Sequence, residues 1–180
     1  MLAGLLRFVC RVLFRLEVHG TENIVRHDRM LIIANHQSFL DGLLIGLTLP
    51  FRATFVIHTS VLDNRFFRFC FRFIPYLAVD YTSALGLKSI IKLMESGEPV
   101  MIFPEGRITN TGSLMKIFEG PGFVAVKTDA TILPIHIDGA AYSRFGRMGP
   151  EFARPWLPKI RLTYLPTTRI ELTGQHSARE

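Results

Sequence analysis

The sequence predicts an α/β fold in which a largely parallel, mixed sheet is flanked by helices and preceded by a basic amphipathic helix. Short apolar runs of strand length alternate along the chain with segments of helical length. No Ser-, Gly- or Pro-rich linker, repeat or low-complexity tract interrupts this alternation. Such alternation is typical of parallel sheets covered by helices on both faces. The 180 residues, 48% of them hydrophobic, suffice for one domain with a buried core.

Residues 1–20 predict a basic amphipathic helix at a membrane interface. Arg7, Arg11 and Arg15 recur every four residues, and they interrupt every apolar run before it reaches the roughly 18 residues of a membrane span. The other side of the helix is apolar and comprises Leu2, Leu5, Leu6, Val9, Val12, Leu13 and Leu16. Such helices lie in the headgroup layer, where each arginine contributes about 1 kcal/mol near anionic lipid. A core helix with a solvated basic face fits the same pattern.

The remaining elements follow in chain order. Strands are predicted at 30–34, 53–57, 77–79, 99–103, 131–137 and 160–165, and helices at 39–49, 63–73, 84–95 and 122–128. Pro50 ends the first of these helices and Gly97 ends the third. The chain therefore divides into the interface helix (1–20), one domain (21–172) and a frayed polar tail (173–180).

Charge and cysteine content narrow the class of partner. The 21 Lys and Arg against 15 Asp and Glu give a net charge of +6, which favours an anionic partner such as phosphate, nucleic acid or a lipid surface. Cys10 and Cys70 form neither a CxxC nor a metal-binding spacing, so we expect both to be packing residues in a reducing cytosol.

The stretch LIIANHQSFLDG contains the first candidate site. Its apolar run leads directly into His36, and Asp41 follows five positions later. One interpretation is a helix start, with Ser38 as N-cap and His36 incidental. In the other, His36 lies in the loop and Asp41 in the first helical turn. The carboxylate then reaches one ring nitrogen and leaves the other to accept a proton near neutral pH.

The pentapeptide FPEGR is the second candidate site and comprises Phe103, Pro104, Glu105, Gly106 and Arg107. Gly106 allows close approach of a ligand, Arg107 offers a bidentate fork for phosphate, and Glu105 can hold Arg107 or a substrate amine. A plain turn with a surface ion pair is the alternative. Both candidate loops follow predicted strands, and ligands of such sheets bind beyond the carboxyl ends of strands. If the two strands are neighbours, the loops form one cleft.

Other chemistries lack their motifs. No G-x-S-x-G elbow and no HExxH is present, and His58 and His136 stand alone on predicted strands, so we expect no metal and no cofactor.

A second basic-aromatic helix suited to a lipid surface is predicted from Arg65, Arg68 and Arg72 interleaved with Phe66, Phe69 and Phe73, with core packing of the phenylalanines as the alternative. The same interleaving can bind RNA, but no RNP, KH or helix-turn-helix motif accompanies it, and we expect no nucleic-acid partner.

These motifs together resemble a known family. His36-x4-Asp41, then residues 103–107, then the strand 132–135 (ILPI) resemble three ordered blocks of the glycerolipid acyltransferases. The run 103–125, FPEGRITNTGSLMKIFEGPGFVA, is most similar to the acyltransferase half of the bacterial bifunctional 2-acylglycerophosphoethanolamine acyltransferase/acyl-acyl-carrier-protein synthetases. The family's remaining block, of the type Gly-x-x-Phe-x-x-Arg, is not clean here, and Arg65, Arg68 or Arg72 could serve in its place.

The resemblance implies acyl transfer from a thioester, on acyl carrier protein or coenzyme A, to the free glycerol hydroxyl of a lysophospholipid, with 2-acylglycerophosphoethanolamine as the first choice. It also implies peripheral attachment to an anionic membrane surface, the cytoplasmic face of the bacterial inner membrane. His36 would be the general base, Asp41 its orienting partner, and residues 103–107 the site of the acceptor phosphate. A glycerol-3-phosphate or lysophosphatidic acid acyltransferase and a noncatalytic lipid-binding module are the alternatives. Because the bifunctional relatives carry an adenylating domain, the resemblance implies a piece of a longer protein.

Overall fold

The computed structural model describes residues 2–63, 65, 68, 74–80, 83–149, 151–152, 155 and 157–171. The helices with described bounds are α1 (Leu2–Leu13), α2 (Asp41–Thr48), α3 (Ala84–Glu95) and α4 (Gly120–Thr128). The strands in these ranges are β1 (Glu17–His19), β2 (Met30–Ala34), β3 (Thr54–His58), β4 (Tyr76–Val79), β5 (Val100–Ile102), β6 (Thr131–Asp138) and β7 (Arg161–Tyr164). None of the described helices combines the length and the apolar content that crossing a bilayer requires.

All of these strands belong to one sheet, in the order β1-β7-β6-β2-β5-β3-β4. Every neighbouring pair is parallel except β6 and β7. The prediction of a largely parallel mixed sheet flanked by helices is therefore confirmed. A chain of this pattern folds so because its central strands are apolar on both faces and need helices on both sides.

Strand β2 shows how the sheet is buried. Its residues alternate between two cores, so that Ile32 packs on the side of α1 and α2, whereas Leu31 packs on the side of α3 and α4. Both side chains are fully buried, and full burial of one such side chain contributes about 1.5–3 kcal/mol. Ile33 of β2 is paired with Ile102 of β5 on one side and with Pro134 of β6 on the other. The carboxyl ends of these three strands therefore meet at one edge.

The predicted bounds of most elements differ from the observed ones by two residues or fewer. Helix α3 has the predicted limits, because Ser83 accepts a hydrogen bond from the Gly86 N–H at its start and Gly97 takes a left-handed conformation (φ 84°) beyond its end. The helix predicted at 63–73 falls almost wholly outside the described residues, as do Cys70 and the tail at 173–180. Arg65 and Arg68 are described, and both are exposed.

The prediction of one helix over 1–20 is wrong beyond Leu13. Arg15 takes a left-handed conformation (φ 41°), which ends the helix, and Glu17–His19 then form edge strand β1 beside β7. Cys10 and Phe14 lie in the core, and burial raises the pKa of the Cys10 thiol. At the sheet edge, the Lys159 ammonium lies 2.7 Å from Glu17 and lowers the pKa of that carboxyl. The N-terminal segment thus packs on the sheet and contributes a strand to it.

Candidate active site

His36 lies two residues beyond the carboxyl end of β2, the central strand of the sheet. After β2 ends at Ala34, the Asn35 side chain continues the pairing with β6: its amide nitrogen donates to the Ile137 carbonyl (2.9 Å), and its oxygen accepts from the Ile137 N–H (2.7 Å). The chain is therefore still held at the sheet when it reaches His36. This is the edge at which α/β folds bind ligands.

His36 and Asp41 form the predicted pair. Nδ1 of His36 lies 2.9 Å from Oδ2 of Asp41. The same oxygen accepts from the backbone N–H groups of Gln37 (2.6 Å) and Ser38 (2.8 Å), while Oδ1 accepts from the Ser38 hydroxyl (2.6 Å). Asp41 has no exposed surface, and a buried carboxylate requires such donors.

This pairing sets the state of the imidazole. An ionised carboxylate can only accept, so the proton of neutral His36 lies on Nδ1 and the lone pair on Nε2. No hydrogen bond from any residue that the structure describes occupies Nε2. The His36 side chain is 18% exposed, whereas Asp41 is fully enclosed. The partly exposed ring can thus accept a proton from a ligand at this edge of the sheet.

The interpretation of Ser38 as a helix N-cap is wrong. Helix α2 begins at Asp41, with Leu40 at the N-cap position and no side-chain capping bond. The Ser38 hydroxyl donates to Asp41 and accepts from the Leu40 N–H (3.1 Å). The Asp41 carboxylate accepts hydrogen bonds from Gln37 and Ser38 in the preceding loop. The loop therefore folds around Asp41, and the helix begins at Asp41 rather than directly after Ser38.

The FPEGR loop lies beside His36, as expected if the two strands are neighbours. The Phe103 ring stacks on the imidazole, with centroids 4.0 Å apart and planes 12° apart. Oε1 of Glu105 accepts from the His36 N–H (2.7 Å), and the His36 carbonyl accepts from the Thr109 N–H (2.8 Å). Two residues of this loop thus flank Arg107 in sequence and bond to His36.

The other residues of the pentapeptide shape the turn. Gly106 takes a left-handed conformation (φ 64°), which a side chain would disfavour, and its N–H donates to the Phe103 carbonyl (3.0 Å). The Pro104 carbonyl accepts from the Phe118 N–H (3.0 Å). Arg107 is exposed, and no hydrogen bond or ion pair ties it to any described residue. Glu105 and Thr109, which lie two residues before and two residues after Arg107, both bond to the His36 backbone. At most about 7 Å of chain therefore separates Arg107 from either of these residues.

The sequence predicts that Glu105 can hold Arg107, but the structure shows no contact between the two side chains, both of which it describes. Glu105 is 2% exposed, and its second oxygen accepts from the Met115 N–H (2.8 Å). Sequence reasoning also missed Thr109 and Asn35. Thr109 and Met115 contribute backbone groups, which leave no trace in residue identity, whereas the polar Asn35 directly after an apolar strand was a usable signal.

A small cavity adjoins this loop. It measures about 130 Å³ and is lined by β2, β6 and the segment 104–117, including the exposed Leu114 and Ile117. A cavity of about 150 Å³ holds one benzene, so this space fits a few methylene groups rather than a whole fatty acyl chain. Among the described residues, His, Cys, Asp and Glu side chains do not gather in threes at any place that suits a metal ion.

Comparisons with known proteins place this geometry in context. The chain is 29% identical over 132 residues to the chloroplastic 1-acyl-sn-glycerol-3-phosphate acyltransferase of Arabidopsis thaliana, covering 70% of this chain and 36% of that protein. It is 30% identical over 138 residues to the 1-acyl-sn-glycerol-3-phosphate acyltransferase of Pseudomonas aeruginosa, covering 71% of this chain and 51% of that one. An uncharacterized Mycobacterium tuberculosis protein is 33% identical over 152 residues, covering 76% and 40%. The chain thus spans about half or less of these relatives.

A solved structure supports the fold. The 1-acyl-sn-glycerophosphate acyltransferase PlsC of Thermotoga maritima matches with a TM-score of 0.67 at 18% identity, over 97% of this chain and 73% of that one. The narrower resemblance to the bifunctional synthetases stays a prediction.

The family model described as Acyltransferase matches residues 15–138, which include His36, Asp41 and all of FPEGR. The chain therefore belongs to the Acyltransferase family.

Proposed function

We propose that this chain moves a fatty acyl group from a thioester to the free hydroxyl of a lysophospholipid, with His36 as general base. One observation carries the proposal: Nδ1 of a partly exposed His36 is held at 2.9 Å by the fully buried Asp41. This is the arrangement of a base and its orienting group.

The chemistry follows from the free Nε2. Nε2 takes the proton of the acceptor hydroxyl as its oxygen attacks the thioester carbonyl, and a C–O bond forms. The tetrahedral intermediate then expels the thiolate, so the C–S bond breaks and the imidazolium returns the proton to sulfur. Asp41 stabilises the imidazolium between these two steps. General base catalysis of this kind contributes about 10² to 10⁴ in rate.

Arg107 is the proposed contact for the acceptor phosphate. Its guanidinium is exposed at the tip of a loop whose two sides bond to His36, so a phosphate held there lies near the base. A guanidinium binds phosphate through two parallel hydrogen bonds, which orients the acceptor as well as attracting it.

The relatives favour one acceptor. Two proteins similar to this chain are named 1-acyl-sn-glycerol-3-phosphate acyltransferases, so we place lysophosphatidic acid first. The resemblance of residues 103–125 to the bifunctional enzymes supports 2-acylglycerophosphoethanolamine as a second acceptor. The donor is an acyl thioester of acyl carrier protein or coenzyme A.

The reaction is proposed to occur on an anionic membrane surface, at the cytoplasmic face of the bacterial inner membrane. On α1, Phe8, Val12 and Leu13 are 66%, 61% and 40% exposed, beside the exposed Arg11. Two exposed aromatic residues lie close by. Phe145 packs edge-on against Phe14, the residue that follows α1, and its carbonyl accepts from the Phe39 N–H, while Arg147 lies over the Phe39 ring. Apolar and basic groups so combined suit a headgroup layer.

An acceptor panel tests the function. The purified chain is incubated with acyl thioester and vesicles that contain lysophosphatidic acid or 2-acylglycerophosphoethanolamine, or with plain vesicles and free glycerol-3-phosphate, and the product is identified by mass spectrometry. We expect a diacyl product from the lysophospholipids, formed fastest from lysophosphatidic acid, and little monoacyl product from glycerol-3-phosphate. Vesicle binding without product from any acceptor would contradict the proposal and indicate a noncatalytic lipid-binding module.

A further inference from the structure

The loop after β5 holds His36 on three sides. The Phe103 ring covers one face of the imidazole at 4.0 Å, Glu105 accepts the His36 N–H at 2.7 Å, and Thr109 donates to the His36 carbonyl at 2.8 Å. Both backbone hydrogen-bonding groups of His36 are therefore bound by this one loop. The loop therefore holds the backbone of His36, whereas Asp41 holds its ring nitrogen.

Glu105 is enclosed by the groups that it joins. Its two oxygens accept from two backbone N–H groups, those of His36 and Met115, and only 2% of its surface is exposed. A carboxylate in this position links the loop after β2 to the segment that follows FPEGR. Glu105 is one of the residues that line the cavity beside this loop, but each of its oxygens already accepts from a backbone N–H group, whereas Arg107 is exposed.

We propose that Glu105 and Phe103 are positioning residues, which hold His36 in its productive orientation, and that the phosphate contact of this loop falls to Arg107. The inference rests on the proposed acyl transfer. It departs from the role in acceptor binding that the family resemblance implies for Glu105 and Phe103.

The chemistry of glutamine makes the proposal testable. In Glu105→Gln one oxygen is replaced by an amide NH2, which donates and cannot accept. One of the two backbone N–H groups then faces a second donor, and that segment must move away. Displacement of a catalytic group by about 1 Å can cost up to 100-fold in rate. The exposed Arg107 makes no hydrogen bond or ion pair with Glu105 or any other described residue, so we expect its contact with a phosphate to be affected less.

The experiment compares kcat and acceptor KM at saturating thioester in three variants. Glu105→Gln and Phe103→Leu are expected to lower kcat at least tenfold while the acceptor KM changes less than about threefold. Arg107→Lys is expected to give the opposite split, a raised KM with a smaller change in kcat, because a bidentate contact becomes a point charge. Glu98→Gln is the matched control, since Glu98 is exposed at the other end of β5 and its variant should behave as wild type.

Backbone amide exchange, followed by NMR, tests the two hydrogen bonds that Glu105 accepts from His36 and Met115, and it requires no turnover. The amide proton of His36 or of Met115 should exchange at least tenfold faster in Glu105→Gln than in the wild type and in Glu98→Gln. If Glu105→Gln does not fold, Phe103→Leu decides the kinetic part alone, because it leaves both backbone bonds intact.

Several results would overturn the inference. A raised acceptor KM with unchanged kcat in Glu105→Gln or Phe103→Leu would make these residues acceptor contacts, and wild-type kinetics together with wild-type amide exchange would remove any role. A wild-type chain without acyl transfer would instead refute the proposed function. In that case the amide exchange of His36 and Met115 still decides whether Glu105 clamps the loop.

Discussion

Asp41 gathers four hydrogen-bond donors although its side chain is fully buried. Three of them, from His36, Gln37 and Ser38, converge on one oxygen. Leaving a buried donor unpaired costs about 1–3 kcal/mol, so the loop between β2 and α2 adopts the one conformation that satisfies all of them. The same contacts that fold the loop therefore also orient the imidazole.

Replacement of Asp41 by asparagine should separate these two roles. The Asn oxygen can still accept from the three N–H donors, and its NH2 can donate to the Ser38 hydroxyl, so we expect a folded protein. The negative charge that stabilises the imidazolium is lost, and the rate of acyl transfer should fall on the order of 10² to 10⁴. Steady-state turnover and circular dichroism measure the two effects. Turnover within a factor of three of wild type would show that Asp41 serves the loop alone.

Residue identity predicted the side chains of this site better than its backbone contacts. The spacing of five between His36 and Asp41 was sufficient because a loop followed by one helical turn brings those two positions together. The stacking of Phe103 on His36 depends on the register of β2 and β5, which no local pattern contains. The backbone bonds from Thr109 and Met115 carry no signature at all, since every residue except proline can supply them.

Among the elements, β1 shows what a local pattern misses. Glu17–His19 is a three-residue edge strand without an apolar run, and it exists because β7 provides a partner 144 positions later. Helix α3, in contrast, has a side-chain cap at its start and a left-handed glycine beyond its end, so its limits are written in neighbouring residues. Local chemistry predicts element limits where caps are present, and long-range pairing decides the rest.

Helix α1 leads to a prediction about lipid binding. Phe8 and Val12 are exposed and outside the core, so replacing both by serine should spare stability. Each apolar side chain contributes up to about 1.5–3 kcal/mol when it enters the bilayer interface, and we expect binding to anionic vesicles to weaken at least about tenfold. Cosedimentation with such vesicles measures the change.

A matched pair on the other face of the sheet provides the control. Leu85 of α3 and Phe123 of α4 are 76% and 54% exposed, and their replacement by serine removes similar apolar area. Vesicle binding of this control should equal that of the wild type. An equal loss in both double variants would indicate nonspecific adsorption and would argue against a docking role for α1.

At the scale of the whole molecule, the site is a product of strand order. His36 and FPEGR are separated by more than sixty residues and by two intervening strands in sequence, yet β2 and β5 are direct neighbours in the sheet. The alternation of apolar segments predicted a parallel sheet, and parallel order puts the carboxyl ends of neighbours at one edge. That β2 and β5 are neighbours depends on pairing between distant segments. The sequence pattern does not predict this pairing, so the meeting of the two loops was predicted only for the case that their strands are neighbours.

The central claim is that His36 is the base for acyl transfer, and His36→Ala tests it most directly. His27→Ala is the control, because His27 precedes β2 and therefore lies at the opposite end of that strand. With lysophosphatidic acid and an acyl thioester, we expect His36→Ala to lose at least 100-fold in turnover while folding and vesicle binding persist, and His27→Ala to retain wild-type turnover. A folded His36→Ala variant that turns over like the wild type would contradict the claim.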